Sequence, residues 1–244
     1  MTWDVGPWWG GCARGTLPRM STARPIRTPD RGTTVLHTIL GELELLMLDQ
    51  GEGWAVEHAR RLTGLIEQIG GGIERDDEVL ALAVWTHDWG AFRRYGATGP
   101  DHAHRSAEVV ADLLREWPLD ASQGAVLIEA IDRHDYRDER PTRSAEALLL
   151  READMLDLLG ATGAAREFAW GPALLSARQR IAHRLAVIPG RLTLPAAREL
   201  GVRLAERTAQ FLDWFDDEAG GVAPAPHLAL ASPEHAVASP EQEE

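Results

Sequence analysis

From about residue 33 to residue 219, apolar side chains recur at intervals of three and four and nowhere sustain the alternation of a strand. That period restricts the fold to packed helices, because a half-buried sheet needs apolar residues at every second position. Between 35 and 50, the apolar residues include those at 35, 36, 39, 40, 43, 45, 46 and 48, and the breaker Gly51-Glu52-Gly53 follows. A second helix is predicted over 54–69. Asp76 and Asp77 precede the most apolar stretch, predicted as a helix over 78–89 with acidic residues at its positive end. Further helices are predicted over 101–117 (stopped by Pro118), 120–131, 142–159 (ended by Gly160), 161–170 and 172–185. Pro195 opens the last one, which ends near Asp217. The expected architecture is all-α, a bundle of eight to nine helices without internal repeats.

Both ends differ from this body. Residues 1–32 hold Gly6, Gly10, Gly11 and Gly15 and Pro7, Pro18, Pro25 and Pro29 without period, and are expected to be a disordered tail, with Met20 as a candidate start. Trp3, Trp8 and Trp9 leave open a segment that docks on the body. Residues 220–244 are rich in Ala, Pro and Glu and read as a disordered acidic tail. The expected helical domain is therefore 33–219.

Charge and cysteine content exclude several functions. The net charge of −13 disfavours a nucleic-acid polymer as partner. All 25 basic residues are Arg, so neither a Walker-type phosphate loop nor Schiff-base lysine chemistry is available. Cys12 is the one cysteine, so there is no internal disulfide and no thiolate metal cluster, and a reducing compartment fits. The longest apolar run, residues 79–85, is far short of the roughly 20 residues that span a membrane. The N-terminus lacks the apolar core of a signal peptide, and a cytoplasmic location is expected.

Chemistry is sought where metal-type ligands interrupt apolar stripes, since a buried ionisable group is costly unless it is paired or coordinated. His87-Asp88 ends the most apolar helix. His58 shares a stripe with Trp54, Leu62 and Leu65. Asp154 lies on a stripe with Leu150 and Leu158, with Asp157 one turn further on. Each has an ordinary explanation too. His58 and His87 could be satisfied core histidines, Asp154 could pair with Arg151, and a second His-Asp dipeptide, His134-Asp135, shows that the pair alone is weak evidence.

The order of these residues in a helical chain resembles the HD-domain metal-dependent phosphohydrolase superfamily. So do the stretch 154–161, Asp-Met-Leu-Asp-Leu-Leu-Gly-Ala, and its continuation Arg166-Glu167-Phe168-Ala169-Trp170-Gly171. His183-Arg184-Leu185, Thr193 and the helix from Ala205 to Phe215 extend the likeness to its small single-domain bacterial branch. The resemblance runs from about 51 to 215, with the HD core at about 50–160. It implies a divalent cation held by His58, His87, Asp88 and Asp154, of which Mn²⁺, Fe²⁺ and Zn²⁺ suit the donors better than Mg²⁺. Asp88 would also orient the attacking water. Arg61, one turn after His58, would bind phosphate, and His102 and His134 would bind phosphate or a second metal.

The implied activity is hydrolysis of a small phosphate ester or anhydride, most naturally of a nucleotide, without membrane or polymer partners; a homodimer is compatible with it. Two alternatives stay open: a di-iron oxygenase using all six ligands, and a non-catalytic HD module that binds a ligand. One departure weakens direct transfer of the nucleotidase mechanism. Nucleotidase members carry an acidic residue just after the His-Asp pair, where this chain has Trp89-Gly90-Ala91-Phe92-Arg93-Arg94. Those arginines and Arg137, Arg140 and Arg143 are expected to bind anions or to be solvated. His104, His37, His183, His227 and His235 are expected to be exposed or structural.

Overall fold

In the computed structural model, residues 31–51, 53–95, 102–169 and 173–219 are described. The expected tails, with Trp3, Trp8, Trp9, His227 and His235, lie outside them, except that Arg31 and Gly32 already belong to the first helix. The described residues form nine α-helices and one 3₁₀ turn, with no strand among them. These are α1 (Arg31–Gln50), α2 (Ala55–Ile69), α3 (Asp77–Thr86), α4 (His102–Leu113), α5 (Ala121–Asp132), α6 (Ala145–Asp157), α7 (Gly160–Ala169), α8 (Leu174–Arg191) and α9 (Pro195–Glu218), with the 3₁₀ turn at Trp89–Ala91. None of them is long and apolar enough to cross a membrane.

The helix starts follow the capping chemistry in the sequence. Asp76 accepts hydrogen bonds from the amides of Glu78 and Val79 at the head of α3, at 3.0 and 3.1 Å. Asp120 and Gln123 form a reciprocal capping box on α5, and Ser144 caps α6. Asp76 also ties helices together: its backbone amide donates to Glu146 of α6, and its second carboxylate oxygen accepts from Gln123 of α5.

Helix α3 is the axis of the main core. Its Val79, Leu80, Leu82, Ala83 and Val84 are all buried, as expected of a helix apolar all round. It packs against α1, α2, α5 and α6, while α2 lies along α6 and α4 along α5. The helix ends earlier than the periodicity suggests. α3 stops at Thr86, His87 closes it, and the chain leaves through the 3₁₀ turn. The reason is Gly90: a Cβ there would sit 2.2 Å from the carbonyl oxygen of His102 and 2.8 Å from the Ser106 amide, so the backbone passes against α4 where only glycine fits.

The C-terminal helices α7, α8 and α9 pack on one another around Ala164, Ile181 and Leu212, flanked by Phe168 and Phe211. Glu167 is buried there between Arg180 and Arg184. α8 runs past the expected end at 185 to Arg191, with Pro189 inside it. Proline in a final turn forfeits only one backbone bond, and Ile188 and Leu192 are buried in the main core beside it. Gly160, between α6 and α7, has φ +71°, the left-handed conformation expected where a glycine ends a helix.

Glu152 of α6 is fully buried. It accepts from the amide and hydroxyl of Thr193, at 2.7 and 2.5 Å, and from the amide of Leu194, at 3.1 Å. It thereby satisfies donors at the head of α9 that would otherwise be orphaned.

Replacing Asp76 with Ala is expected to cost about 1 kcal/mol in urea unfolding at neutral pH, the usual worth of an N-cap. The capping and Gln123 hydrogen bonds outweigh burial and hold the Asp76 carboxyl below its ordinary value of 3.8. Its contribution is thus complete above that value and lost as pH falls through the lower folded one, so the gap between wild type and variant should close in acid. A gap independent of pH would contradict this account.

Candidate metal centre

Three helices deliver the first set of ligands. On α2, His58 lies on the buried face with Ala55, Ala59 and Leu62 and is 1 % exposed. His87 and Asp88 stand where α3 gives way to the 3₁₀ turn, and Asp154 comes from α6. His58 Nε2 lies 3.1 Å from His87 Nε2, 3.5 Å from Asp88 Oδ2 and 3.4 Å from Asp154 Oδ1. His87 Nε2 is 3.4 Å from the same Asp88 oxygen. Four donors, contributed by positions up to 96 residues apart in the chain, face one point.

Their outer hydrogen bonds determine what that point can hold. His87 Nδ1 lies 3.0 Å from the carbonyl of Val84, and His134 Nδ1 2.7 Å from the carbonyl of Ile131. Carbonyls only accept, so each Nδ1 carries the hydrogen, and each ring, once it is neutral, turns an Nε2 lone pair inward. His58 does the same through Asp157, whose Oδ2 is 2.8 Å from its Nδ1. Two lone pairs 3.1 Å apart, next to two carboxylates, repel unless a proton or a cation lies among them. Imidazole nitrogen with carboxylate oxygen suits a divalent transition metal, so the donor set fits the expected cation.

A second set shares Asp88. His102, the first residue of α4, and His134, just beyond α5, have their Nε2 atoms 3.1 Å apart. They lie 3.4 and 3.5 Å from Asp88 Oδ1. Asp88 thus turns one oxygen to His58 and His87 and the other to His102 and His134, and each trio is compact enough for one ion. Asp135 flanks the second trio, its Oδ2 3.7 Å from His102 Nε2 and gripped by Arg137.

The electrostatics match. Burial works to raise the Asp88 carboxyl, but the charge of His87 and hydrogen bonds from His134 and His87 override it and hold it well below the ordinary value. Asp154 is lowered in the same way: burial is outweighed by the bond and charge of His58. Burial opposes charging of His134 as well, yet its bond to Asp88 and that carboxylate's charge push it up to about 9. His58 is raised by Asp154 and Asp157 against its burial. His102 is lowered, because burial exceeds what Asp88 returns.

The six residues expected from the resemblance at the two halves, His58, His87, Asp88, Asp154, His102 and His134, are therefore brought together. Arg61 reaches the same region, but it is engaged: its Nε and Nη2 donate to Asp157 at 2.8 and 3.1 Å, and its Nη1 is 4.0 Å from Glu57. Arg151 is not the partner of Asp154. It donates to the carbonyls of Arg133 and Arg140 instead. His37, His104 and His183 are exposed, as expected.

Two carboxylates carry more than the sequence reading assigned. Asp157, 3 % exposed, holds His58 and is itself held by Arg61 and Arg166. Asp135 supplies a carboxylate on the flank where the stretch 89–94 has none. The spacing of Asp157 from Asp154 was a usable signal, whereas nothing in the sequence distinguished His134-Asp135 from a chance dipeptide.

Residues 55–159 match the family model described as HD domain. In sequence it is similar to an uncharacterized protein, YpgQ of Bacillus subtilis, with 24 % identity over 192 residues, covering 74 % of this chain and 91 % of YpgQ. Among solved structures it is similar to a predicted HD superfamily hydrolase from an uncultured Thermotogales bacterium, with 24 % identity and a TM-score of 0.55, over 76 % of this chain and 93 % of the other. It is also similar to Bacillus subtilis YpgQ in complex with ADP, with 22 % identity and a TM-score of 0.60, over 78 % of this chain and 97 % of the other. At these identities the likeness is one of fold.

Since His134 retains a proton up to about pH 9 in the metal-free protein, a cation must displace protons to enter. Mn²⁺ titrated into metal-stripped protein should release protons, seen calorimetrically as a dependence on buffer ionisation enthalpy. Its apparent affinity should rise with pH and level off above about 9. Uptake without proton release, or tighter binding in acid, would refute the assignment.

Proposed function

We propose that this protein is a metal-dependent phosphohydrolase acting on a small phosphate ester or anhydride, most naturally that of a nucleotide. The observation that carries the reading is the inward convergence of Nε2 of His58 and His87 with the carboxylates of Asp88 and Asp154, each imidazole oriented by an outer hydrogen bond. A divalent cation held there would polarise a phosphoryl oxygen and make water nucleophilic near neutral pH. Asp88, partly exposed and held ionised, would orient that water or accept its proton at Oδ1. His102 and His134 face the same space and would take the substrate's phosphate or a second cation, while Arg61 keeps only Nη1 for an anion. The nucleotide assignment leans on YpgQ, a protein of this fold whose crystal structure holds ADP. The net charge of −13 favours a small substrate over a nucleic-acid polymer.

The second trio supports a second reading on the same scaffold, a two-iron oxygenase, because His102 and His134 bring the ligands to the six such a centre requires. Two irons per chain with oxygen consumption and no phosphate release would select it.

The test is phosphate release from nucleoside mono-, di- and triphosphates in the presence of Mn²⁺. Asp88→Ala should abolish metal retention and lower turnover by about 10³-fold or more, with helical content by circular dichroism unchanged. Unaltered turnover in that variant would overturn the proposal.

A further inference from the structure

We propose that the two halves of the metal centre are braced separately: His58 by a clamp of Arg61, Asp157 and Arg166, and His102 by a clasp of Gly90 and Ser106. This rests on the reading above that His102 and His134 take a second cation.

The clamp is built on Asp157. This buried carboxylate accepts from His58 Nδ1 at 2.8 Å, from Arg61 Nε at 2.8 Å and from Arg61 Nη2 at 3.1 Å, and Arg166 Nη1 closes on Oδ2. Two guanidinium groups close on it, and as they can only donate, the carboxylate is their acceptor and that of His58 Nδ1. The His58 ring is thereby fixed in the tautomer and orientation that point Nε2 at the centre. Arg166 belongs to α7, beyond the 55–159 segment that matches the HD domain. A helix outside the matched segment therefore positions a ligand inside it.

The clasp is built on Ser106. Its hydroxyl donates to the carbonyl of His102 at 2.7 Å and accepts from the Gly90 amide at 2.8 Å. Arg105 Nε donates to the Gly90 carbonyl at 3.1 Å. His102 is the first residue of α4. Its distance from Asp88 depends on how closely α4 approaches the 3₁₀ turn, and the glycine sets that approach. Ser106 itself is fully buried. Clamp and clasp share no residue, and they grip opposite flanks of Asp88. All five residues act through a ligand and are positioning residues.

The experiment titrates Mn²⁺ alone into metal-stripped full-length protein, with ions per chain counted by elemental analysis and ion pairing followed by electron paramagnetic resonance. Wild type should hold two ions with a spin-coupled signal. In a His102→Ala background, Arg166→Ala should weaken the remaining ion about tenfold or more, the usual cost of losing an outer hydrogen-bond partner. In the same background Ser106→Ala should leave that ion within twofold. In a His58→Ala background the order should reverse. Arg166→Lys should recover part of the loss, which a defect of packing alone would not. Should either alanine variant lose helical content, Arg166→Gln and Ser106→Cys decide the same question. Two ions in wild type with both variants weakening the surviving ion equally would overturn the separate braces and leave the two-cation reading standing. A single ion in wild type would overturn the two-cation reading, and the clasp with it, while the His102→Ala comparison would still judge the clamp.

Discussion

The structure is organised around a cost. Four imidazoles and several carboxylates sit among helices whose other inward-facing residues are apolar, and each would be expensive there alone. The expense is met collectively. The outer nitrogens of His58, His87 and His134 are satisfied by Asp157, Val84 and Ile131, so that the inner ones are left to share whatever positive species lies between them. Asp88 stays ionised in a buried setting because histidines surround it on both sides. Remove the common centre and these residues become a set of unmatched polar groups in a packed interior.

Much of the fold was legible because helices write their period into the sequence. Caps at Asp76, Asp120 and Ser144 and breaks at Gly53 and Gly160 lie where local chemistry places them, whereas α4 ends at Leu113, short of the expected end at 117. The errors are tertiary. α3 ends at Thr86 instead of near Trp89 because Gly90 has to pass against α4, a contact between positions 12 residues apart that no local window contains. α8 outruns its expected end because Ile188 and Leu192 are anchored in the core on either side of Pro189.

The ligands were legible for a different reason. Asp154 between Leu150 and Leu158 is a charge on an apolar stripe, and such a residue requires an explanation. Arg151 offered one, but it points the other way, to the carbonyls of Arg133 and Arg140. What escaped the sequence is the set of partners behind the ligands. Arg61 and Asp157 are 96 positions apart, so an arginine expected to face an anion in solution meets the protein's own carboxylate. Asp135 escaped because its setting beside His102 exists only once α4 and α5 are packed together.

Glu152 shows what the C-terminal helices are for. Its carboxylate lies in the core two residues before Asp154 and is satisfied entirely by Thr193 and Leu194 at the head of α9. The last helix is therefore no detachable ornament. Were it to peel away, an anion would be stranded in the apolar interior, a penalty of several kcal/mol, and so the main core and the C-terminal helices are bound to melt in one cooperative step.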